Sequence, residues 1–219
     1  MKKIFLSPSS QTGNVYAYGN TNEAVVCGKI AEFCENALKR CGFEVKNQQF
    51  DTLKSRVEQS NQWPADLHIP IHTNAFNEKV SGTRILCYDL KGEGYKASKA
   101  VFDALAPVTP GTSENITTST FYEIIYSKAP CVYVEADFHD VPEVAKWLME
   151  NTEPVGEAIC RGVCKYFGVE YVEKTAENPE DVIYRVQVGA FRNREYAEDY
   201  LKKVKSAGFA DAYIAESKQ

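Results

Sequence analysis

The side chains able to carry chemistry are few and far apart. The 219 residues include three histidines, His68, His72 and His139, and seven cysteines. Among the carboxylates, Glu23 and Glu135 stand out by position. Glu23 follows Thr21 and Asn22, either of which can cap a helix, so it falls in a first helical turn. His72 closes the apolar run Leu67–Ile71, and Glu135 sits near the end of the β-prone run Cys131–Val134. In an open α/β sheet, ligands gather at the carboxyl ends of the strands. A histidine and two carboxylates at one such edge suit metal-assisted hydrolysis. Imidazole and carboxylate hold the ion, one position stays open to water, and a separate carboxylate takes the water's proton. With only three histidines, any metal site must draw on carboxylates or amides as well. His68 precedes His72 by four residues on one strand, which places it on the same face but about 13 Å away, too far to share an ion. His139 falls in the turn after the Glu135 strand and is open to a ligand, structural or substrate-contact role.

The elements that must position these groups read as follows. Lys3–Leu6 is a short buried strand, followed by a polar loop from Ser7 to Asn22. Val26, Ile30, Phe33, Cys34, Ala37, Leu38 and Cys41 recur at helical spacing, and Gly42 ends that helix. Strands are expected at Phe43–Phe50, Leu67–His72, Gly82–Asp89 and Ala129–Ala136. Helices are expected after Asp51 and Thr52 through about Gln62, and at Tyr95–Leu105, Val141–Asn151 and Glu153–Phe167. This alternation predicts an α/β domain over 1–170, with a twisted, mostly parallel sheet and helices on both faces. Residues 171–181 read as a linker, being charged and carrying Pro179. The tail, 182–219, alternates at Val182–Phe191, turns helical at Asn193–Ala207, and alternates again at Ala212–Glu216, a small β-α-β unit. It carries net charge +2 against −7 for the rest of the chain. At 38 residues it is near the lower limit for independent folding.

Composition narrows the function classes. Apolar residues at 44% and charged residues at 25% are ordinary globular values, which excludes long disorder. A net charge of −5 gives no footprint for nucleic acid. No apolar run approaches the roughly 18 residues of a membrane span, and the apolar start Ile4-Phe5-Leu6 stops short of a signal-peptide core. Synthesis in the cytoplasm without a signal peptide is therefore expected. Cys27, Cys34 and Cys41 lie seven apart along one helical face, and the odd cysteine count predicts buried free thiols. Gly92-Glu93-Gly94 is too short to be a nucleotide-binding loop.

Local words carry a resemblance. Ile69-Pro70-Ile71-His72-Thr73-Asn74-Ala75 resembles the Ser-Ile-His-Ala-Asn-Ala segment of the zinc-dependent N-acetylmuramoyl-L-alanine amidases of the amidase-3 family, bacterial cell-wall hydrolases. Val132-Tyr133-Val134-Glu135-Ala136-Asp137-Phe138 is similar to their later segment, in which a strand-end Glu is followed three residues on by Phe. Ile4-Phe5-Leu6-Ser7-Pro8 resembles their first strand and its turn. The resemblance implies Zn2+, cleavage of the amide between N-acetylmuramic acid and L-alanine in peptidoglycan, Glu23 and His72 as ligands, and Glu135 as the catalytic carboxylate. Asn74 and Arg84 are candidate substrate contacts. It also implies action on the cell wall after lysis or holin-type release. The sequence departs from the family at its first ligand. The family has Asp-Pro-Gly-His, whereas Ser7-Pro8-Ser9-Ser10-Gln11 stands here. Gln11 can offer its amide oxygen, a histidine from elsewhere can be recruited (His139, since His68 lies too far along its strand), or the chain has lost its metal and only binds peptidoglycan. The first is the expectation taken forward. A zinc hydrolase of other small amides on a similar sheet is the remaining reading.

The tail segment Tyr184-Arg185-Val186-Gln187-Val188-Gly189-Ala190-Phe191, with Ala197, Leu201, Gly208 and Phe209 beyond it, resembles half of the sporulation-related repeat (SPOR), which binds peptidoglycan glycan strands. Alternation puts Arg185, Gln187, Gly189 and Phe191 on one face of that segment. Gln187 and Phe191 are its candidate sugar contacts, and Phe191 packing under the helix is the competing reading.

Overall fold

The computed structural model describes residues 1–174 and 186–215. The chain divides into two compact units, 1–174 and 175–219. In the first unit the elements run β1 (Lys3–Pro8), α1 (Glu23–Arg40), β2 (Glu44–Asn47), α2 (Leu53–Gln62), β3 (Leu67–Asn74), β4 (Arg84–Cys87), α3 (Gly92–Leu105), β5 (Asn115–Thr118), α4 (Tyr122–Tyr126), β6 (Tyr133–Phe138), α5 (Pro142–Glu150) and α6 (Thr152–Phe167). The strands form one six-stranded sheet in the order β2-β1-β3-β6-β4-β5. Its pairs are parallel except β4 with β6, which is antiparallel.

The period of two along the central strands sorts side chains between two layers. Ile4, Leu6, Ile69, Ile71, Val132, Val134 and Ala136 face the main core, together with α1, α3 and α6. The alternate residues point to the other side. There Phe5 stacks on His68 with ring centroids 5.3 Å apart, and Tyr133 packs with Ile124 of α4. The chemistry-bearing residues His72 and Glu135 share the parity of His68 and Tyr133, so they belong to this second face.

Two glycines of α6 let three helices come close. A Cβ on Gly156 would lie 2.7 Å from the Cys34 nitrogen of α1, and one on Gly162 would lie 2.4 Å from the Val101 Cα of α3. Both neighbours are backbone and cannot rotate away. Gly162→Ala is therefore expected to lower unfolding stability by about 1–3 kcal/mol, despite alanine's better helix propensity. Urea unfolding of the variant checks this, and an unchanged midpoint would show that α3 and α6 are free to separate.

Several elements differ from the sequence reading. β6 starts at Tyr133 and not at Ala129, because Pro130 has no N–H to give a ladder and Cys131 makes only an isolated bridge to His68. β4 is shorter than Gly82–Asp89, since Gly82 has φ +131° and turns the chain. β2 is a four-residue edge strand and not Phe43–Phe50. The short β5 and α4 were not expected, as neither shows a clear apolar period. In the second unit, α7 (Arg194–Ser206) stands where a helix was expected, capped by Asn193, whose side chain accepts from the Glu195 N–H. The two flanking strands are corrected. Residues 186–191 and 212–215 carry no strand, and the remainder of Val182–Phe191 and Ala212–Glu216 lies outside the described residues. Among the described residues no residue of α7 is fully buried; its Ala197, Leu201 and Val204 form a partly buried stripe.

Candidate active site

The site starts at the N-terminus of α1. The Asn22 side chain accepts from the Val25 N–H at 3.1 Å and caps the helix. Glu23 is thereby fixed as the first helical residue, where the helix dipole favours its charge. Its carboxylate, only 1% exposed, turns inward toward the end of β3. Oε1 lies 2.8 Å from His72 Nδ1, and Oε2 accepts from Asn14 Nδ2 at 2.6 Å. Burial pushes the Glu23 carboxyl up, but the hydrogen bond and charge of His72, with Asn14 and Ser9, more than offset it and hold the carboxyl below its usual value.

Gln11 is part of the same cluster. Its Nε2 lies 3.4 Å from His72 Nδ1, and its Oε1 accepts from Asn14 Nδ2 at 3.0 Å. Gln11, Glu23 and His72 thus come from a loop, a helix and a strand and meet at one imidazole nitrogen. Ligands bound at about 2.0–2.1 Å in a tetrahedron lie about 3.3 Å apart; the Glu23 Oε1–His72 Nδ1 hydrogen bond of 2.8 Å has to open by about half an ångström to reach that, and the Gln11 amide, which turns its nitrogen toward His72, has to make a half-turn to present its oxygen. The set fits zinc, with a neutral amide as its weak member. Neither His68 nor His139 enters it.

Glu135 is the register partner of His72 across β3 and β6. It is buried, and its Oε2 has no hydrogen-bond partner among the described residues. Burial and then the charge of Glu23 push its pKa up to about 8. Tyr133, two residues earlier on the same face, stacks on His72 at 4.7 Å, and Phe121 meets the Tyr133 ring at 5.2 Å. These rings form an apolar wall beside the imidazole, the setting that raises a nearby carboxyl.

The remaining histidines have other roles. His139 lies under the site, its Nδ1 2.9 Å from Thr73 Oγ1, while Tyr16 stacks on its ring and bonds the same hydroxyl at 2.9 Å. Burial holds this imidazole below the usual histidine value. His68 is fully buried, its ring nitrogens 3.0 Å from Ser60 Oγ and 3.2 Å from Glu123 Oε1. Ser7 donates to the same Glu123 oxygen. Burial pushes the Glu123 carboxyl up, but His68, the Arg56 charge and Ser7 together hold it below 4.5. Its contribution to stability is thus present above about pH 4.5 and lost as pH falls through the depressed folded value. Glu123→Gln should cost about 3 kcal/mol at pH 7, a loss that shrinks as the pH drops below 4.5. A constant deficit across that range, measured by chemical unfolding, would count against an ionised Glu123 in the folded state.

Of the candidate substrate contacts, Asn74 accepts from the Ala75 N–H at 2.8 Å, a turn hydrogen bond. Arg84 lies opposite Glu135 across the antiparallel β4–β6 pair, with its guanidinium 5.3 Å over the Phe138 ring. In the second unit Gln187 bonds the Gly189 carbonyl at 3.4 Å, and the Phe191 ring lies 5.3 Å from Tyr200 while remaining half exposed. Sequence reasoning missed Asn14, Tyr16, Thr73 and Tyr133 as supports of the site. The first two lie in a loop without period, although the Asn14 amide was visible as a polar group within reach of Gln11.

Three comparisons bear on this geometry. Residues 8–165 match the family model described as N-acetylmuramoyl-L-alanine amidase, and residues 180–219 match the SPOR domain. A sporulation-specific N-acetylmuramoyl-L-alanine amidase of Bacillus subtilis is 23% identical over 95% of this chain and 83% of its own length. The catalytic domain of the amidase CwlV from Bacillus (Paenibacillus) polymyxa superposes with TM-score 0.71 at 20% identity, covering 78% of this chain and all of that one. The amidase AmiC2 of Nostoc punctiforme gives 0.70 at 23% identity, over 76% of this chain and 97% of its own. At these identities the two structures speak for the fold.

Proposed function

Since the chain belongs to the N-acetylmuramoyl-L-alanine amidase family, a peptidoglycan hydrolase cleaving between N-acetylmuramic acid and L-alanine, we propose how its own residues divide the work. Glu23, His72 and Gln11 hold zinc, the first two by their charged and imidazole donors and the third by its amide oxygen. Bound there, zinc supplies Lewis acidity toward the scissile carbonyl and toward water. Glu135 is the proton carrier. With its carboxylate ionised, Oε2 takes a proton from the attacking water, and the resulting carboxylic acid delivers it to the leaving amine of alanine. A carboxyl raised toward neutrality suits both halves of that exchange. Arg84 and Asn74 face the substrate beside it.

The observation that carries this reading is the unpartnered, buried Glu135 Oε2 placed in register with His72. A buried acceptor without a partner is costly unless a reactant uses it. We assign residues 1–170 to catalysis, 171–181 to a linker, and 182–219 to glycan binding through Gln187 and Phe191. Among the described residues no helix is long and apolar enough to cross a membrane. Metal analysis combined with a turbidity assay on purified cell walls tests the mechanism. About one zinc per chain is expected, lost in His72→Ala. Lysis should stop with a chelator and return with zinc. Lysis by the fully metal-depleted chain would overturn the zinc mechanism and leave Glu135 acting alone.

A further inference from the structure

α1 begins in the active site at Glu23 and ends at its cap residue Cys41, about 27 Å away by helical rise. At that far end three thiols meet. Cys41 Sγ lies 3.8 Å from Cys160 Sγ, and Cys160 Sγ lies 4.0 Å from Cys164 Sγ. The three sulfurs all fall within 4.8 Å of one another, and all three residues are buried. Cys160 and Cys164 are one turn apart on α6, so helical spacing sets them side by side, and the end of α1 brings in the third. One ion bonded at about 2.3 Å to three sulfurs spaces them about 4 Å apart, close to the separation of the Cys41–Cys160 and Cys160–Cys164 pairs.

One backbone donor reaches the cluster. The Val172 N–H donates to Cys41 Sγ at 3.3 Å. Arg40, the last residue of α1, stands next to Cys41 in the chain. Arg40 is itself fixed by Glu157 at 2.7 Å.

We propose that Cys41, Cys160 and Cys164 form a second metal site, all-sulfur and three-coordinate, for a soft monovalent cation of the Cu(I) kind. Thiolates select soft ions, and structural zinc sites close with four ligands. Here no fourth histidine, cysteine or carboxylate joins the group among the described residues. The cation enters as Cu(I) and displaces thiol protons to solvent, with no change of oxidation state. It ties the end of α1 to α6, at the opposite end of the helix from the hydrolytic residue Glu23.

The test uses the full chain, reduced and anaerobic, titrated with Cu(I) against a chromogenic copper chelator. One Cu(I) per chain is expected, with a near-ultraviolet thiolate-to-copper band and a raised Tm. His72→Ala and Cys87→Ala should retain it. Cys41→Ser, Cys160→Ala and Cys164→Ser should each weaken it at least about 10-fold, the smallest loss seen even for outer partners of metal ligands. Because Cys160→Ala sits in packed core, copper-edge X-ray absorption on the wild-type chain gives an independent reading, a shell of three sulfurs. No stoichiometric binding, binding unchanged in all three variants, a nitrogen or oxygen shell, or uptake of one Zn(II) at these thiols in preference to Cu(I) would each overturn the proposal.

Discussion

Glu135→Gln is expected to lower the rate of peptidoglycan hydrolysis by about 10²–10⁴-fold, the usual worth of a positioned general acid–base group. The amide keeps the size and shape of the side chain, so zinc content should stay that of the wild type. A second readout follows from the same burial. In the metal-free chain the folded Glu135 carboxyl is raised to about 8, against about 4.5 for an unperturbed glutamate, by burial and then by Glu23. A folded value above the unfolded one means the folded state holds a proton that the unfolded state has lost. Stability therefore falls as the pH rises from about 4.5 and levels off above about 8. Gln has no such proton, so the variant should be the more stable protein at pH 8 and no more stable at pH 4. Loss of activity with gain of stability is the pattern of a group kept for chemistry. Full lysis by the variant, or a stability loss at pH 8, would remove Glu135 from the mechanism.

What was legible in the sequence follows from where local rules apply. Glu23 was readable because capping is local, and Asn22 does cap the helix as its side-chain type allows. His72 was readable because a polar residue closing an apolar strand marks a strand end, and β3 extends only two residues past it. The pairing of Glu135 with Arg84 was not readable, since it depends on β4 entering the sheet antiparallel to β6, and no local pattern encodes strand direction. Glu123 was hidden for a related reason. Its helix, α4, has five residues, too few to show a period, yet it delivers the carboxylate that Ser7 and His68 share. The thiol cluster was half visible. The seven-residue spacing placed Cys41 in line with Cys27 and Cys34, but its actual partners lie more than a hundred residues away on α6.

Gln11→His should raise zinc affinity by at least about 10-fold, or roughly 1.4 kcal/mol, since changes in outer partners alone reach that size. The argument rests on placement. The Gln11 side chain already lies 3.4 Å from His72 Nδ1 and shares Asn14 Nδ2 with Glu23, so the backbone presents this position to the cluster. An imidazole there replaces a neutral amide oxygen by the nitrogen donor that suits zinc better. Asn14 would keep its bond to Glu23 Oε2 and lose only the one to Gln11, so the orientation of Glu23 should survive. If affinity limits the fraction of loaded enzyme, lysis at low free zinc should rise in step with occupancy, while the rate per bound zinc stays within a few-fold. Gln11→Ala should move both in the opposite direction. Unchanged affinity in both variants would mean that Gln11 is no ligand, and that Glu23 and His72 hold the ion with help from outside the set identified here.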